Sequence, residues 1–262
     1  MSENFFEIRN ANVWRDENLA LKELNLSLRA DQSVAILGGN GAGKSTLLKL
    51  ITGEVRPAFG ATCRLFGEER WNLEEIRHQL GLVMPEDVAR FHPQETSSDV
   101  VLSAFRAAYG RTRDMAFTRE EEEKCSKAIG ELGIQNLAQR YFGQLSSGEK
   151  RRFLIARALV HQPEVLILDE PSTALDFAGR LAMLDKLRDL ANRSTTLLLV
   201  THDPAEILPE IERVILLKKG RVIADGEKKE ILNSDSLSEL FGMSLKLDWL
   251  DDWAIVKKAD RP

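Results

Sequence analysis

The chain has 262 residues, of which 43% are hydrophobic and 29% are charged, and its formal net charge is −5. This composition is that of a globular protein with a sizeable core, and the acidic balance provides no electrostatic footprint for nucleic acid. The two cysteines, Cys63 and Cys125, lie too far apart in sequence for a disulfide framework or a zinc-binding spacing, so a reducing cytosol fits the composition.

Signals for export or membrane insertion are not evident in the sequence. Residues 1–7 lack the basic region and the apolar core of a signal peptide. No run approaches the roughly 20 apolar residues of a membrane-spanning helix. If the protein serves a membrane process, another chain has to supply the membrane part. We therefore expect a cytoplasmic protein, at most peripheral at the cytoplasmic face of a membrane.

The N-terminal part of the chain is predicted to be rich in strands. Residues 46–51 have the pattern of a helix that ends near Gly53. Period-two patterning and short apolar runs predict strands at 6–9, 24–28, 33–37, 61–66 and 80–84, the last of which stops at Pro85.

The middle of the chain, residues 86–142, is predicted to be helical and is rich in charge. Residues 100–105 have an amphipathic pattern, and a run of glutamates from Glu120 opens another helix at the end where acids suit the helix dipole. We interpret this run as a solvated helix face rather than as a partner-binding site.

Helices and strands alternate from about residue 149 onward. The pattern predicts helices at 149–160 and 179–192 and uninterrupted apolar strands at 165–168 and 195–200. Apolar strands that alternate with helices indicate a parallel sheet covered on both faces. The sequence therefore predicts an α/β core interrupted by a helical insert.

A glycine-rich segment follows the strand at 33–37. It matches the pattern G-x-x-x-x-G-K-[ST] at every fixed position, as Gly38-Gly39-Asn40-Gly41-Ala42-Gly43-Lys44-Ser45. Glycines allow a tight turn whose backbone N–H groups converge on phosphate oxygens, and the next helix adds its N-terminal dipole. We expect Lys44 to reach the β- and γ-phosphates of a nucleotide and the Ser45 hydroxyl to bind Mg²⁺.

Two acids follow the strand at 165–168, at the edge where open α/β sheets bind ligands. We expect Asp169 to hold Mg²⁺, directly or through water, and Glu170 to polarise an attacking water. Without the phosphate loop, the two acids could equally begin an ordinary loop. His202 ends the neighbouring strand, which favours a contact with the γ-phosphate, although a lone histidine is more often structural.

Two further features leave alternatives open. Ser146 and Ser147 precede a helix, where they either cap it or form, together with Gly148, an anion site at its N-terminus. Trp14 either stacks on an adenine ring or packs on the protein, and physical reasoning alone favours packing.

Together, these residues resemble the ATP-binding cassette (ABC) ATPases over residues of about 4–230. The resemblance implies an α/β fold with a P-loop NTPase core, a mostly parallel sheet, an N-terminal antiparallel β subdomain and a helical insert. The matching features are an adenine-stacking aromatic (Trp14), the Walker A motif (38–45), the signature usually written LSGGQ (145–149), the Walker B motif with its catalytic glutamate (165–170), the D-loop (172–176, with Asp176) and the switch histidine (His202).

The resemblance also implies how ATP is used. Two cassettes pair head to tail and hold each ATP between the Walker A motif of one copy and the signature of the other. ATP and Mg²⁺ are the implied cofactors, and Ser45 and Asp169 are the implied metal ligands. The implied ATP contacts are Trp14, Gly38, Gly39, Asn40, Gly41, Ala42, Gly43, Lys44, Ser45 and Thr46 within one copy, and Ser146, Ser147, Gly148 and Glu149 from the other.

The domain organisation follows from the same resemblance. An ABC ATPase domain spans 1–230, with its core at 1–85 and 143–230, and a C-terminal extension spans 231–262. The insert at 86–142 resembles the subdomain that couples cassettes to their partners. In the extension, we expect Trp249 and Trp253 to pack within the chain.

The sequence departs from the family pattern in two places. In the signature, Ser147 replaces a glycine and Glu149 replaces the glutamine. The family's Q-loop glutamine, which contacts Mg²⁺ and links the nucleotide to the helical subdomain, should follow residue 84, but Pro85 and Glu86 stand there. Glu86 is a candidate substitute and metal ligand, and Gln94 is a more distant candidate.

Two functions compete for this chain. Residues 95–102 are similar to cassettes of iron, siderophore and molybdate importers, which favours the ATPase subunit of an ABC transporter with a membrane permease and a second cassette as partners. The missing Q-loop glutamine favours the alternative, a soluble ABC ATPase with a repair or regulatory role, as in photorepair-type relatives. A binding module that hydrolyses ATP poorly is disfavoured by Glu170 and His202. We adopt the transporter reading and expect no nucleic-acid partner.

Overall fold

A computed structural model describes residues 4–193 and 195–259 of the chain. The strands are β1 (Asn4–Arg15), β2 (Asn18–Arg29), β3 (Val34–Leu37), β4 (Thr62–Leu65), β5 (Leu80–Val83), β6 (Val165–Asp169), β7 (Thr196–Thr201), β8 (Arg213–Lys218), β9 (Arg221–Glu227), β10 (Leu245–Leu250) and β11 (Trp253–Lys258). The helices are α1 (Lys44–Ile51), α2 (Leu73–Gln79), α3 (Ser97–Leu102), α4 (Arg119–Glu131), α5 (Ser147–Leu159), α6 (Phe177–Ala191), α7 (Lys228–Ile231) and α8 (Ser234–Phe241).

The described residues divide into two compact units. The first contains the residues up to Arg77 and those from Ala191 onward, and the second contains His78–Leu190. The predicted helical range 86–142 lies within the second unit. Residues 1–3, which begin the predicted ABC ATPase domain and the segment without signal-peptide features, lie outside the described residues. The same holds for residues 260–262, which end the predicted C-terminal extension.

An antiparallel sheet opens the first unit. Its strand order is β2-β1-β4, and β1 pairs with both neighbours in antiparallel register. Phe6, Ile8 and Val13 of β1 are buried, and shifts in register along β1 and β2 interrupt the strict alternation of buried and exposed residues. The sheet confirms the predicted N-terminal antiparallel part of the fold.

Parallel strands form the second sheet region of the first unit. β3 pairs in parallel with β7 on one side and β8 on the other, and β9 pairs with β8 in antiparallel register. Every residue of β3 is buried, as expected for a strand covered on both faces. Leu37 is the register partner of Thr201, so the segments that follow β3 and β7 leave the sheet at the same edge.

The second unit pairs β5 and β6 in parallel, with Val83 opposite Leu168. The segment after β5 and Asp169 at the end of β6 therefore lie at one edge of this pair. Helix α5 packs on β5 and on α3 and α4, and its residue Phe153 is completely buried. Short 3₁₀ turns at Pro85–Arg90, Ser103–Arg106, Gln135–Leu137 and Phe142–Gln144 connect the elements of this unit.

The C-terminal residues end in a hairpin in which β10 pairs with β11. Helix α8 packs on β10, and β11 packs on the turn at Pro204–Glu206. Ala254 is buried, Trp253 is half-buried and Trp249 is 37% exposed. Within residues 4–193 and 195–259, every helix is too short or too polar to cross a bilayer.

Both cysteines are buried and unoxidised, Cys63 on β4 and Cys125 on α4. Burial raises the pKa of the Cys63 thiol to about 11. Burial, together with the nearby Asp99 and Glu122 carboxylates, raises the pKa of the Cys125 thiol to about 12. Because the thiolate is the reactive form, neither side chain is reactive near neutral pH.

The buried Phe153 provides a direct test of this packing. Phe153→Ala leaves a cavity between α5 and its neighbours, and we expect it to lower the free energy of unfolding by about 3–5 kcal/mol. The matched control is Phe59→Ala, because the Phe59 ring is fully exposed, and we expect a change below about 0.5 kcal/mol. Urea unfolding followed by circular dichroism measures both, and equal effects of the two substitutions would contradict the described core.

Candidate functional site

The phosphate loop connects β3 to α1 in the first unit. Gly41 and Gly43 have φ angles of +75° and +106°, a left-handed region that favours glycine. Gly43 is the N-cap of α1 and supplies no side-chain cap to the first turn of the helix. The start of α1 therefore keeps the character of an anion site, with backbone amides and the positive end of the helix dipole.

Close backbone packing explains the first glycine of the loop. A Cβ on Gly38 would lie 2.5 Å from the carbonyl oxygen of Leu217, so a larger residue would force the two backbones apart. Lys44 is only 7% exposed, and its Nζ donates to the carbonyl oxygens of Gly38 (2.9 Å) and Gly39 (3.4 Å). The loop thus wraps around its own lysine, whereas the Ser45 side chain is exposed.

Hydrogen bonds hold this loop against neighbouring segments of the first unit. Gly38 donates its N–H to Thr201 at 3.2 Å, and Gly220 donates to the carbonyl of Ala42 at 2.8 Å. Lys22 in turn donates to the Gly220 carbonyl at 2.8 Å. The loop is therefore fixed before any ligand arrives, as preorganised binding requires.

His202 and Trp14 also belong to the first unit. His202 is half-buried and follows Thr201, whose hydroxyl donates to the buried carboxylate of Glu206 and accepts the N–H of Asp203 at 3.0 Å. Trp14 lies on β1 and is 54% exposed. An exposed indole face remains available to an aromatic ligand, so the stacking interpretation is compatible with this placement.

The two acids after β6 differ in their surroundings, and both belong to the second unit. Asp169 is buried, with 7% exposure, whereas Glu170 is half-buried and has a φ of +45°. A left-handed backbone is uncommon for a glutamate, and such conformations cluster at functional sites. The Thr173 hydroxyl donates to Glu170 Oε2 at 3.1 Å and fixes the direction of this carboxylate.

Asp176 has a capping role. Its Oδ1 accepts the N–H of Gly179 at 2.7 Å in the first turn of α6. Leu175, which precedes it, lies 3.8 Å from the position that a Cβ on Gly148 would occupy. The D-loop residue and the signature segment are thus neighbours within the second unit.

The signature segment begins α5 with a reciprocal cap. Ser146 Oγ accepts the N–H of Glu149 at 3.3 Å, and Glu149 Oε2 accepts the N–H of Ser146 at 2.8 Å. The Ser146 N–H holds the pKa of Glu149 below its usual range. Ser146 therefore caps α5, as one of the two alternatives predicted. The neighbouring Ser147 side chain is exposed. Glutamate and glutamine can both close such a box, which explains why Glu149 is tolerated here.

A short turn stands where the family has its Q-loop. Pro85–Arg90 is a 3₁₀ turn, and Met84 is its N-cap. The backbone N–H of Met84 donates to Asp87 Oδ2 at 2.9 Å. Burial raises the pKa of Asp87. The Glu86 and Gln94 side chains are exposed. Sequence reasoning missed Asp87, because its carboxylate reaches the Met84 N–H only when Pro85 starts a 3₁₀ turn.

A second omission is Arg151 on α5, which is only 5% exposed. In the sequence, Lys150, Arg151 and Arg152 have the appearance of a solvated charge run, which conceals the buried member. The helical spacing of Arg151 with Leu154, Ile155 and Ala158, all buried, was the available signal.

Comparison with known proteins supports the resemblance. The sequence profile of the family described as ABC transporter matches residues 21–173, more than half of the chain. The chain is 34% identical over 259 residues to YlmA of Bacillus subtilis (strain 168), an uncharacterized ABC transporter ATP-binding protein, with 97% of each chain covered. The chain belongs to the ABC transporter family. As a family member it is an ATP-binding ATPase, and the predicted α/β P-loop NTPase fold is confirmed.

Two further relatives add detail about this family. The cobalt import ATP-binding protein CbiO of Rhodobacter capsulatus is 35% identical over 246 residues, which cover 93% of this chain and 85% of CbiO. A dimeric structure of a post-hydrolysis state of the ATP-binding cassette MJ0796, bound to ADP and Pi, matches with a TM-score of 0.69 and 25% identity. That match covers 85% of this chain and 98% of MJ0796.

The capping box makes a testable contribution to stability. Because the pKa of Glu149 is lowered by folding, its carboxylate stabilises the fold fully above the unfolded pKa of about 4.3, and this contribution is lost as the pH falls through the lower folded pKa. We expect Glu149→Gln to keep the box but to lower the free energy of unfolding by up to about 1 kcal/mol at pH 7. The difference in free energy of unfolding between this variant and wild type should shrink below about pH 4.3.

Thermal unfolding between neutral and acidic pH measures this effect. The control is Glu164→Gln, because the Glu164 side chain is exposed just before β6. A difference between Glu149→Gln and wild type that grows toward acidic pH would contradict the assigned cap.

Proposed function

We propose that this ABC ATPase is the nucleotide-binding subunit of a transporter, in which two copies pair head to tail around ATP and drive an integral membrane permease from the cytoplasmic side. The observation that carries this proposal is the combination, in one chain, of an open phosphate-binding helix start at Gly43 and a separately capped signature helix at Ser146. In this proposal, each nucleotide is bound by the α1 start of one copy and the α5 start of the other.

The phosphate loop residues bind the nucleotide in this proposal. Gly38, Gly39, Asn40, Gly41, Ala42 and Gly43 present backbone amides, Lys44 neutralises phosphate charge, and Thr46 extends the first helical turn. Mg²⁺ fits the oxygen donors that Ser45 and Asp169 offer, since hydroxyl, carboxylate and phosphate oxygens are its preferred ligands. When bound, the ion neutralises the charge that develops on the transferred phosphate. Trp14 supplies the stacking surface for adenine.

Glu170 is the residue that orients and polarises the attacking water. Its carboxylate is already held by Thr173, so it accepts a proton from the water without first changing direction. His202 donates a hydrogen bond to the γ-phosphate oxygen, and Asp176 keeps the segment after the catalytic acid in place through its cap on α6.

The signature contacts come from the second copy. Ser146 Oγ accepts the Glu149 N–H, which leaves the hydroxyl hydrogen to donate to an arriving phosphate oxygen. The cap and the anion site are thus compatible at the same serine. Ser147 and Gly148 add N–H groups at the helix start, and Glu149 keeps that start ordered.

The role of Glu170 is tested by Glu170→Gln, which keeps size and hydrogen bonding to Thr173. We expect the rate of phosphate release to fall at least about 100-fold because a general base is lost, while the Kd for Mg-ATP stays within about threefold. Steady-state phosphate release and a direct binding titration measure the two quantities. Turnover close to wild type would remove Glu170 from this role.

A soluble ABC ATPase remains the second candidate function, and the Pro85–Arg90 turn favours it. The glutamine that this turn replaces is the family's link from nucleotide to helical subdomain. A cassette that acts without a permease has less need of that link.

An affinity purification separates the two candidates. We expect the Glu170→Gln protein, purified with Mg-ATP from solubilised membranes of its native cells, to recover a polytopic membrane protein that mass spectrometry identifies. Lys44→Ala is the control, because it weakens nucleotide binding and should lose the same partner. Recovery of only the chain itself or soluble proteins would favour the soluble ATPase.

A further inference from the structure

Glu206 is a buried carboxylate that has no part so far in the proposed hydrolysis of ATP. It lies in the 3₁₀ turn Pro204–Glu206, close after His202, and is only 3% exposed. Burying a carboxylate is costly unless hydrogen-bond donors compensate for the lost water. Glu206 Oε2 accepts the hydroxyl hydrogen of Thr201, which is itself completely buried. A buried acid–hydroxyl pair thus lies beside the histidine that is proposed to contact the γ-phosphate.

The Thr201 hydroxyl holds the residues on both sides of His202 together. A hydroxyl donates one hydrogen and accepts through its lone pairs. Its hydrogen goes to Glu206, because the Asp203 carbonyl oxygen lies 3.5 Å away, beyond the usual range for a hydroxyl donor. Thr201 Oγ1 then accepts the N–H of Asp203 at 3.0 Å, which closes a tight turn with His202 at its centre. The turn fixes the His202 backbone and thereby the direction in which its side chain leaves the chain.

The same turn is bonded to the phosphate loop and covered by the C-terminal hairpin, all within the first unit. Gly38 donates its backbone N–H to the Thr201 carbonyl oxygen at 3.2 Å, and Glu206 donates its own to Asp203 at 3.0 Å. Strand β11 packs on the turn that carries Glu206, and Ala254 of this strand is buried. Packing that excludes water strengthens the hydrogen bonds it covers.

We propose that Glu206 is a positioning residue for His202: its carboxylate orients the Thr201 hydroxyl, and that hydroxyl holds the His202 backbone in place for the γ-phosphate. The inference rests on the proposed role of His202. Without the carboxylate, the hydroxyl hydrogen turns toward the Asp203 carbonyl, on the side where the Asp203 N–H has to be accepted. The bond that closes the turn is then weakened.

The test compares substitutions that keep or remove each half of the pair. Glu206→Gln keeps an acceptor for the Thr201 hydroxyl, whereas Glu206→Met occupies a similar volume without one. Thr201→Ser keeps the hydroxyl, and Thr201→Val removes it with little change in shape. The control is Glu212→Gln, because the Glu212 side chain is exposed.

The variants are compared by kinetics and by a spectroscopic signal that is independent of activity. Steady-state phosphate release gives kcat and the KM for ATP. NMR of the full chain, isotopically labelled in its imidazole rings, reports the surroundings of each histidine without nucleotide. The chain has four histidines, so the His202 signal can be assigned by its loss in His202→Ala.

For Glu206→Met and Thr201→Val we expect kcat to fall at least about tenfold, because a small displacement of a catalytic group has a large effect on rate. The KM for ATP should stay within about threefold, since Gly38 bonds to the Thr201 backbone, which both variants keep. The His202 signal should shift or broaden, and the other histidine signals should not change. Glu206→Gln and Thr201→Ser should restore the His202 signal, and kcat to within about twofold, because each keeps the bonding group.

A purely structural role predicts a different result. Glu206→Met and Thr201→Val would then lower the melting temperature but leave kcat and the His202 signal at wild-type values, and the proposal would be wrong. A fall in kcat without a change in the His202 signal, or an equal fall in Glu206→Gln and Glu206→Met, would also overturn it.

The proposal stays testable if one variant does not fold. If Glu206→Met is unfolded, identical His202 signals in Thr201→Val and Thr201→Ser contradict the proposal. Failure of the proposed function is recognised separately, by normal turnover of Glu170→Gln, and the His202 signal remains a valid readout in that case.

Discussion

Every helix begins with backbone N–H groups that its own carbonyls cannot satisfy, and the helices of the candidate site meet this constraint in opposite ways. Helix α5 closes its start through the Ser146–Glu149 box, whereas α1 begins at Gly43 without a side-chain cap. The start of α5 is therefore ordered by its own side chains, whereas the start of α1 gains more from a bound anion. The close approach of Gly38 to the Leu217 carbonyl fixes the path of the backbone at the start of the phosphate loop.

Much of the fold was predictable because its signals are local. Glycine spacing identified the phosphate loop, and continuous apolar runs identified β3, β6 and β7, which are buried on both faces. Capping by Ser146 or Ser147 was one of two predictions for this segment, but the reciprocal bond from the Ser146 N–H to Glu149 was not predicted, since it depends on the Glu149 rotamer. The positive φ of Glu170 could not be predicted, because only the surrounding structure imposes it.

The remaining features depend on contacts between distant segments. Helical spacing places Arg151 on the same face of α5 as Leu154 and Ile155, but the burial of that face depends on the packing of α5 on other elements, such as β5 and the turn after it. Asp87 presents the same difficulty, because its carboxylate caps the Met84 N–H only when Pro85 starts a 3₁₀ turn. The structure of the segment that departs from the family motif therefore depends on contacts that the sequence pattern does not reveal.

The burial of Cys63 and Cys125 has a practical consequence. With thiol pKa values of about 11 and 12, both side chains stay protonated and shielded at the pH used for maleimide chemistry. A cysteine introduced at an exposed position would therefore be the dominant labelling site without removal of the native thiols. Spectroscopic probes can thus be attached to the unmodified sequence background, and the proposed pairing of two copies can be tested by distance measurements through a nucleotide cycle.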